Sequence, residues 1–136
     1  MDSHTQQTIT PVDGSVYIER PLAAEGDIES ALARAVAAQR QWKRVPLGER
    51  VAIVRRMVEW CVSRADKIGD ELSWQMGRPI AYAPNEIRRG FQERALYMCS
   101  IAEDSLADVR VEPKAGFERF IRREPLGVVL AVAPWN

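Results

Sequence analysis

The sequence contains a single histidine, His4, and it lies in the polar opening stretch MDSHTQQTIT. Catalysis by a buried histidine is therefore not expected. Cysteine is scarce too: Cys61 and Cys99 stand far apart, and two such thiols make neither a disulfide framework nor, by themselves, a structural zinc site. No charge of either sign dominates. Nineteen basic residues balance nineteen acidic ones, so no overall field draws the chain toward nucleic acid or an anionic membrane surface. No apolar run approaches the roughly 20 residues of a membrane span. The first residues have neither the basic start nor the apolar core of a secretory signal. These absences predict a soluble, cytoplasmic protein with reduced thiols, no metal site, no nucleic-acid partner and no membrane partner.

What is present is globular in character. Of 136 residues, 46% are hydrophobic and 28% charged, the composition of one ordinary domain or of a piece of a larger one. After the turn signal Asp13-Gly14, Val16 and Ile18 alternate with Tyr17 and Glu19, which predicts a short strand or hairpin arm. An Ala-rich helix is expected over Glu25–Trp42, with Ile28, Ala31, Leu32, Ala35, Ala38 and Trp42 on one face. The small alanines suit close approach by another element. Pro46 opens a second helix running to about Ala65, whose apolar arc exceeds half the cylinder and predicts neighbours on two sides. A third helix is expected over Asp66–Met76, stopped by Gly77-Arg78-Pro79. A fourth is expected over Glu86–Leu106, presenting Ile87, Phe91, Met98, Ala102 and Leu106 on one side.

Beyond Leu106 the pattern turns extended. Val109 and Val111 precede Pro113, and Phe117–Glu124 alternates with large groups on both faces. Then Val128-Val129-Leu130-Ala131-Val132-Ala133 is continuously apolar. Such a run is the signature of a strand buried on both faces in a parallel sheet. Its parallel neighbours require crossover connections of a dozen residues or more. None follows here, and Pro134-Trp135-Asn136 sits where open α/β sheets bind their ligands, at the carboxyl end of a strand. The expectation is an α/β fold: an N-terminal helical layer, oligomerisation-type strands, and the first strand of an incomplete parallel nucleotide-binding sheet. Residues 1–107 would hold the strand turn and helices, 108–125 the oligomerisation-type strands, and 126–136 the first core strand and the start of an active-site turn.

At Glu124, Pro125, Gly127, Val128 and then Pro134-Trp135-Asn136 the sequence resembles the aldehyde dehydrogenase superfamily. Glu71-Leu72, Met76-Gly77 and Arg78-Pro79 are similar to a second stretch of that family, with arginine for its usual lysine. Trp42, Pro46 and Arg50 fit its helix entry, and TPVDGSVY resembles its opening strand turn. The likeness spans nearly the whole chain. It implies oxidation of an aldehyde to a carboxylate, with NAD or NADP as hydride acceptor. A catalytic cysteine attacks the carbonyl, and a glutamate-activated water releases the acid. By the same resemblance Asn136 matches the side-chain donor to the developing oxyanion, and Val132, Pro134 and Trp135 match the strand end beside the cofactor.

The family's nucleophile and general base have no counterpart in these residues, so the chain by itself is expected to be inactive. Cys61 and Cys99 read as core cysteines, neither being at a helix start, although Arg64 lies within reach of Cys61. The pairs Arg55-Arg56, Arg88-Arg89 and Arg122-Arg123 each neighbour an acid and read as solvated or ion-paired faces. Asp70-Glu71 and Glu103-Asp104 do not face one another on a helix, so neither makes a paired-carboxylate site. Two alternatives stand beside the enzymatic reading. One is a non-catalytic interaction module that pairs with a full-length homologue or with itself, and the other is the inert product of a partial gene.

Overall fold

The computed structural model describes residues 5–132. It opens with a hairpin in which β1 (Thr5–Ile9) runs antiparallel to β2 (Val16–Pro21), from Thr5↔Pro21 to Ile9↔Val16, with an irregularity between Thr8 and Ile9. β2 is the strand that Val16 and Ile18 predict. β1 falls within the stretch that reads as a polar tail, and its two glutamines are exposed. Its pairing is decided by the turn. Thr10 is fully buried: its N–H donates to the Ser15 carbonyl and its own carbonyl accepts from Gly14 N–H, both at 2.9 Å. Gly14 takes φ +77°, which glycine adopts without penalty.

The first three helices follow the predicted bounds closely. α1 (Glu25–Trp42) begins with Asp27 accepting a hydrogen bond from Ala24 N–H at 3.2 Å, while Glu25 and Asp27 place negative charge at the positive end of the helix dipole. α2 (Leu47–Ser63) starts directly after Pro46. α3 (Ala65–Met76) ends at Gly77 in the left-handed conformation, φ +72°, with Gly77 N–H bonded to the Ser73 carbonyl at 2.9 Å.

The fourth expected helix is not continuous. It starts earlier, as α4 (Ala83–Asn85), widens into a π-helical segment (Glu86–Phe91), and returns to α geometry in α5 (Gln92–Ser100). After a break at Ile101 comes α6 (Ala102–Leu106). Two anchors account for the widened turn. At one end Pro84 lies against α3 so closely that a Cβ on Gly69 would stand 2.8 Å from the proline ring, and Arg78–Glu86 and Arg88–Asp66 ion pairs fasten the same region. At the other end α5 packs along α2. A π turn admits one more residue per turn, which reconciles the two registers.

The extended region is smaller than predicted. β3 (Val109–Arg110) and β4 (Phe120–Ile121) form a two-residue antiparallel ribbon, so the strand expected over Phe117–Glu124 is reduced to its centre, joined by an isolated Lys114↔Phe117 bridge. Both sheets are antiparallel and two-stranded. The parallel core strand expected over Val128–Ala133 is not seen among the described residues: 128–132 enter no ladder there, and Ala133 lies outside them. A ladder needs a second strand, and no other described segment lies alongside to supply it. The α/β class with its helical layer therefore stands, and among the described residues no strand of a nucleotide-binding sheet is paired.

The interior is thin. Val58, Ala65, Gly69, Ala83 and Thr10 are buried, at the contact of α2, α3 and α4 and beneath the hairpin turn. α1 has no buried residue, and Ile28, Leu32 and Trp42 of its expected apolar stripe are exposed, as is Val36. On α2 one side meets α5, while Ile53, Met57 and Trp60 face outward. Met98 and Leu106, expected on a packed face, are exposed as well. The accessible surface totals 11328 Å², against about 7,200 Å² for a self-contained protein of this mass.

Candidate functional site

Of the residues singled out by sequence, Val132 is described and is 83% exposed. Pro134, Trp135 and Asn136 lie outside the described residues, as does His4. Gly127, at φ +103°, turns the chain into the apolar segment, which then runs beside the alanine-rich face of α1.

Between that segment and α1 lies a trench made of two adjoining hollows. One, of about 560 Å³, is bounded by Ala38, Trp42, Val45 and Gly127; the other, of about 660 Å³, by Ile28, Ala31, Leu32 and Leu130. Ala35 and Val128 line both. The trench exists because alanines at 31, 35 and 38 leave the helix backbone thinly covered, as their spacing predicts. Its walls are apolar, with Asp27 and Arg34 at one end and Gln39 and Gln41 at the other. Such a surface holds apolar groups and supplies no nucleophile or general base.

The thiols stand elsewhere. Cys61 is half-buried on α2, and Cys99, half-buried on α5, borders a separate hollow of about 280 Å³ with Arg50, Val51, Val54 and Met98. Arg50 Nε is buried there without a hydrogen-bond partner. Arg64 does not serve Cys61: its guanidinium lies 4.2 Å from the centre of the Trp60 ring and donates to the Ser63 hydroxyl at 3.1 Å. Among the described residues no group of three or more His, Cys, Asp or Glu side chains is placed to hold a metal, and no helix is long and apolar enough to cross a membrane.

The polar groups that do interact are structural fasteners. Arg88 Nη2 donates to Asp66 Oδ2 at 2.6 Å, holding the Asp66 carboxyl below its usual pKa and raising that of Arg88. Arg122 pairs with Asp108 at 3.3 Å and Arg110 with Glu118 at 3.0 Å; both guanidiniums also lie over the Phe120 ring, 4.8 Å and 5.6 Å from its centre. The Arg88 and Arg122 members of the arginine pairs thus belong to ion-paired faces, although their partners are Asp66 and Asp108 and not the neighbouring Glu86 and Glu124. Tyr17 donates its hydroxyl to Glu71 Oε2 at 2.9 Å, and Gln75 Nε2 donates to the same oxygen at 3.1 Å. These bonds lower the Glu71 pKa and raise that of Tyr17. Sequence inspection misses this network, because Tyr17 and Glu71 are 54 residues apart and no local period links them.

Comparison with known proteins places these observations. A sequence model described as the aldehyde dehydrogenase family matches residues 1–136. A succinate-semialdehyde dehydrogenase [NADP(+)] of Deinococcus radiodurans is 28% identical over 95% of this chain and 27% of its own length. A 3,6-anhydro-alpha-L-galactose dehydrogenase of Streptomyces coelicolor is 31% identical over 97% of this chain and 26% of its own. The crystal structure of an NAD-dependent benzaldehyde dehydrogenase from Corynebacterium glutamicum superposes with a TM-score of 0.72 at 23% identity, covering 85% of this chain and 24% of that one. The chain therefore spans about a quarter of the length of the relatives it matches. The helical layer, the small antiparallel strands and the motifs from Trp42 to Asn136 agree on one origin: the chain belongs to the aldehyde dehydrogenase family.

Proposed function

We propose that this chain supplies the N-terminal helical layer and the entry to the active-site turn of an enzyme that oxidises an aldehyde to a carboxylate with NAD or NADP. The observation that carries the reading is the family match over residues 1–136, within which Asn136 follows Pro134-Trp135 in the family's order. Relatives whose names specify NADP and NAD support the cofactor class. The nicotinamide, when bound, accepts the hydride. Val132, Pro134 and Trp135 would border it. Asn136 would donate its amide N–H to the aldehyde oxygen as negative charge develops there. Loss of one such donor costs roughly 2.7–4 kcal/mol of barrier, or about a hundred- to a thousandfold in rate.

No described cysteine lines the trench, so these residues by themselves should produce no turnover. The test has two arms. The purified 136-residue chain, given an aldehyde and NAD or NADP, is expected to form no reduced nicotinamide. Residues 1–136 are also grafted in place of the matching segment of the Deinococcus relative. That chimera is expected to be active and to lose about a hundredfold or more of kcat on Asn136→Ala. An active chimera indifferent to Asn136→Ala would remove Asn136 from the chemistry, and turnover by the isolated chain would refute its inactivity.

A second reading is a non-catalytic module that pairs with a longer homologue. The exposed stripe of α1 and the unladdered segment 128–132 favour it. Activity gained by a longer relative on addition of the separate chain would support it.

A further inference from the structure

The sequence holds one Asp-Gly dipeptide, Asp13-Gly14, and no Asn-Gly. In an unconstrained chain such a pair is chemically labile, because no side chain on the glycine obstructs ring closure. The glycine nitrogen bonds to the aspartate Cγ, one carboxyl oxygen leaves as water, and a cyclic imide results. Water then adds back at either carbonyl. Addition at Cγ restores aspartate, whereas addition at the main-chain carbonyl leaves isoaspartate, with the chain running through Cβ. No oxidant or cofactor takes part, and the net mass is unchanged.

In the hairpin both reacting groups are tied. Gly14 N–H donates to the Thr10 carbonyl at 2.9 Å, and Asp13 Oδ1 accepts from Ser15 N–H at 2.9 Å. The hydrogen bonds from Ser15 hold the Asp13 carboxyl below its usual pKa, and a carboxylate is a poorer electrophile than the neutral acid from which the imide forms. Thr10, fully buried, anchors the turn: its N–H donates to the Ser15 carbonyl at 2.9 Å, and its Oγ1 accepts from Val12 N–H at 3.2 Å. Asp13 and Gly14 are exposed, and a Cβ on Gly14 would meet nothing within 4 Å, so hydrogen bonding and not crowding restrains the pair. We propose that Asp13 is a site of spontaneous isomerisation to isoaspartate, gated by the Thr10–Ser15 turn: closed, the turn keeps the pair unreactive, and opened, it lets the imide form. The consequence reaches the strands. Both backbone bonds of Thr10 span Asp13, so the longer path through Cβ cannot close them in the same register, and β1 loses its alignment on β2. Every bond in the gate lies within residues 10–15. The proposal therefore stands apart from aldehyde chemistry, and its failure leaves the enzymatic reading untouched.

The 136-residue chain and a peptide of residues 10–17 are incubated side by side at one pH and temperature. Isoaspartate is scored by electron-transfer fragmentation, which cleaves its Cα–Cβ bond, and by methylation with an isoaspartyl carboxyl methyltransferase. It is expected at Asp13 of the peptide and, at least about tenfold more slowly, at Asp13 of the chain, the factor that one or two intact hydrogen bonds supply. In urea that unfolds the chain, the two rates should converge. Thr10→Val keeps the side chain's size and the backbone bonds but removes the acceptor for Val12 N–H. It should isomerise at an intermediate rate with an unchanged far-UV circular dichroism spectrum. Chain purified with isoaspartate at 13 should lose hydrogen-exchange protection at the Thr10 and Gly14 amides. Equal rates in the chain and the peptide without urea overturn the gate, as does a folded Thr10→Val chain no faster than the parent. Absence of isoaspartate at 13 from the unfolded chain overturns the site.

Discussion

The Tyr17 hydroxyl donates to Glu71 Oε2 at 2.9 Å while the Tyr17 ring stacks on Trp74, centroids 6.0 Å apart and planes within 4°. One residue of the hairpin thus engages two residues of α3, and through them the first strands are tied to the helical layer.

This contact predicts a two-sided pH dependence. The Glu71 pKa is lowered in the folded chain by the hydrogen bonds from Tyr17 and Gln75. Its contribution is therefore present above the usual carboxylate value near 4.5 and is lost as pH falls through the lower folded value. Tyr17 is shifted the other way, above 10, chiefly by its hydrogen bond to Glu71. Its contribution is present below pH 10 and is lost as pH rises through the folded value. Urea titrations across this range should show Tyr17→Phe less stable than the parent near neutrality, with the difference shrinking at both extremes. A difference independent of pH would contradict the assignment.

Gly69 offers a second test. Alanine is ordinarily the better helix residue by about 1 kcal/mol, but here its Cβ would lie 2.8 Å from the Pro84 ring and 2.9 Å from the Pro84 nitrogen. Overpacking of this kind costs about 1–3 kcal/mol, so Gly69→Ala should lower the melting temperature in spite of its propensity. Adding Pro84→Ala should restore part of the loss. Equal effects of Gly69→Ala with and without Pro84 would show that the contact does not matter.

Neighbouring apolar residues of α2 should differ sharply. Val58 is buried, whereas Trp60 is 55% exposed despite its size. Truncating Val58 to alanine removes buried methyl groups worth about 0.8 kcal/mol each, with a cavity left behind. Val58→Ala should therefore destabilise by about 1.5–2.5 kcal/mol, and Trp60→Ala by less. Chemical denaturation of the two variants decides it. A larger loss for Trp60 would mean that its face is covered in solution.

Gly77 supplies the last prediction. Its φ of +72° closes α3, and a Cβ there would approach Pro11 Cγ to 2.9 Å. Gly77→Ala should cost about 1–2 kcal/mol from the backbone conformation, visible as a lower thermal midpoint. Gly48→Ala, at a helical position with open space around it, should cost nothing and serves as the control.

Local chemistry made much of the layout readable. The period of apolar residues, Pro46 before α2 and Gly77 after α3 determined the first three helices to within a residue or two, since propensity, proline geometry and glycine's left-handed conformation act over a few residues. The ordered motifs from Trp42 to Asn136 identified the family for the same reason: they are contiguous in sequence. Tertiary contacts decided the rest. β1 exists because Thr10 is buried and fixes a turn. The π segment exists because Pro84 meets Gly69 at one end while α5 follows α2 at the other. Tyr17 finds Glu71 across a separation that no periodicity spans. Residues 128–132 illustrate the division most plainly: their apolar run specifies a surface that must be covered, but strand pairing is a property of two segments, and one sequence segment cannot supply its own neighbour.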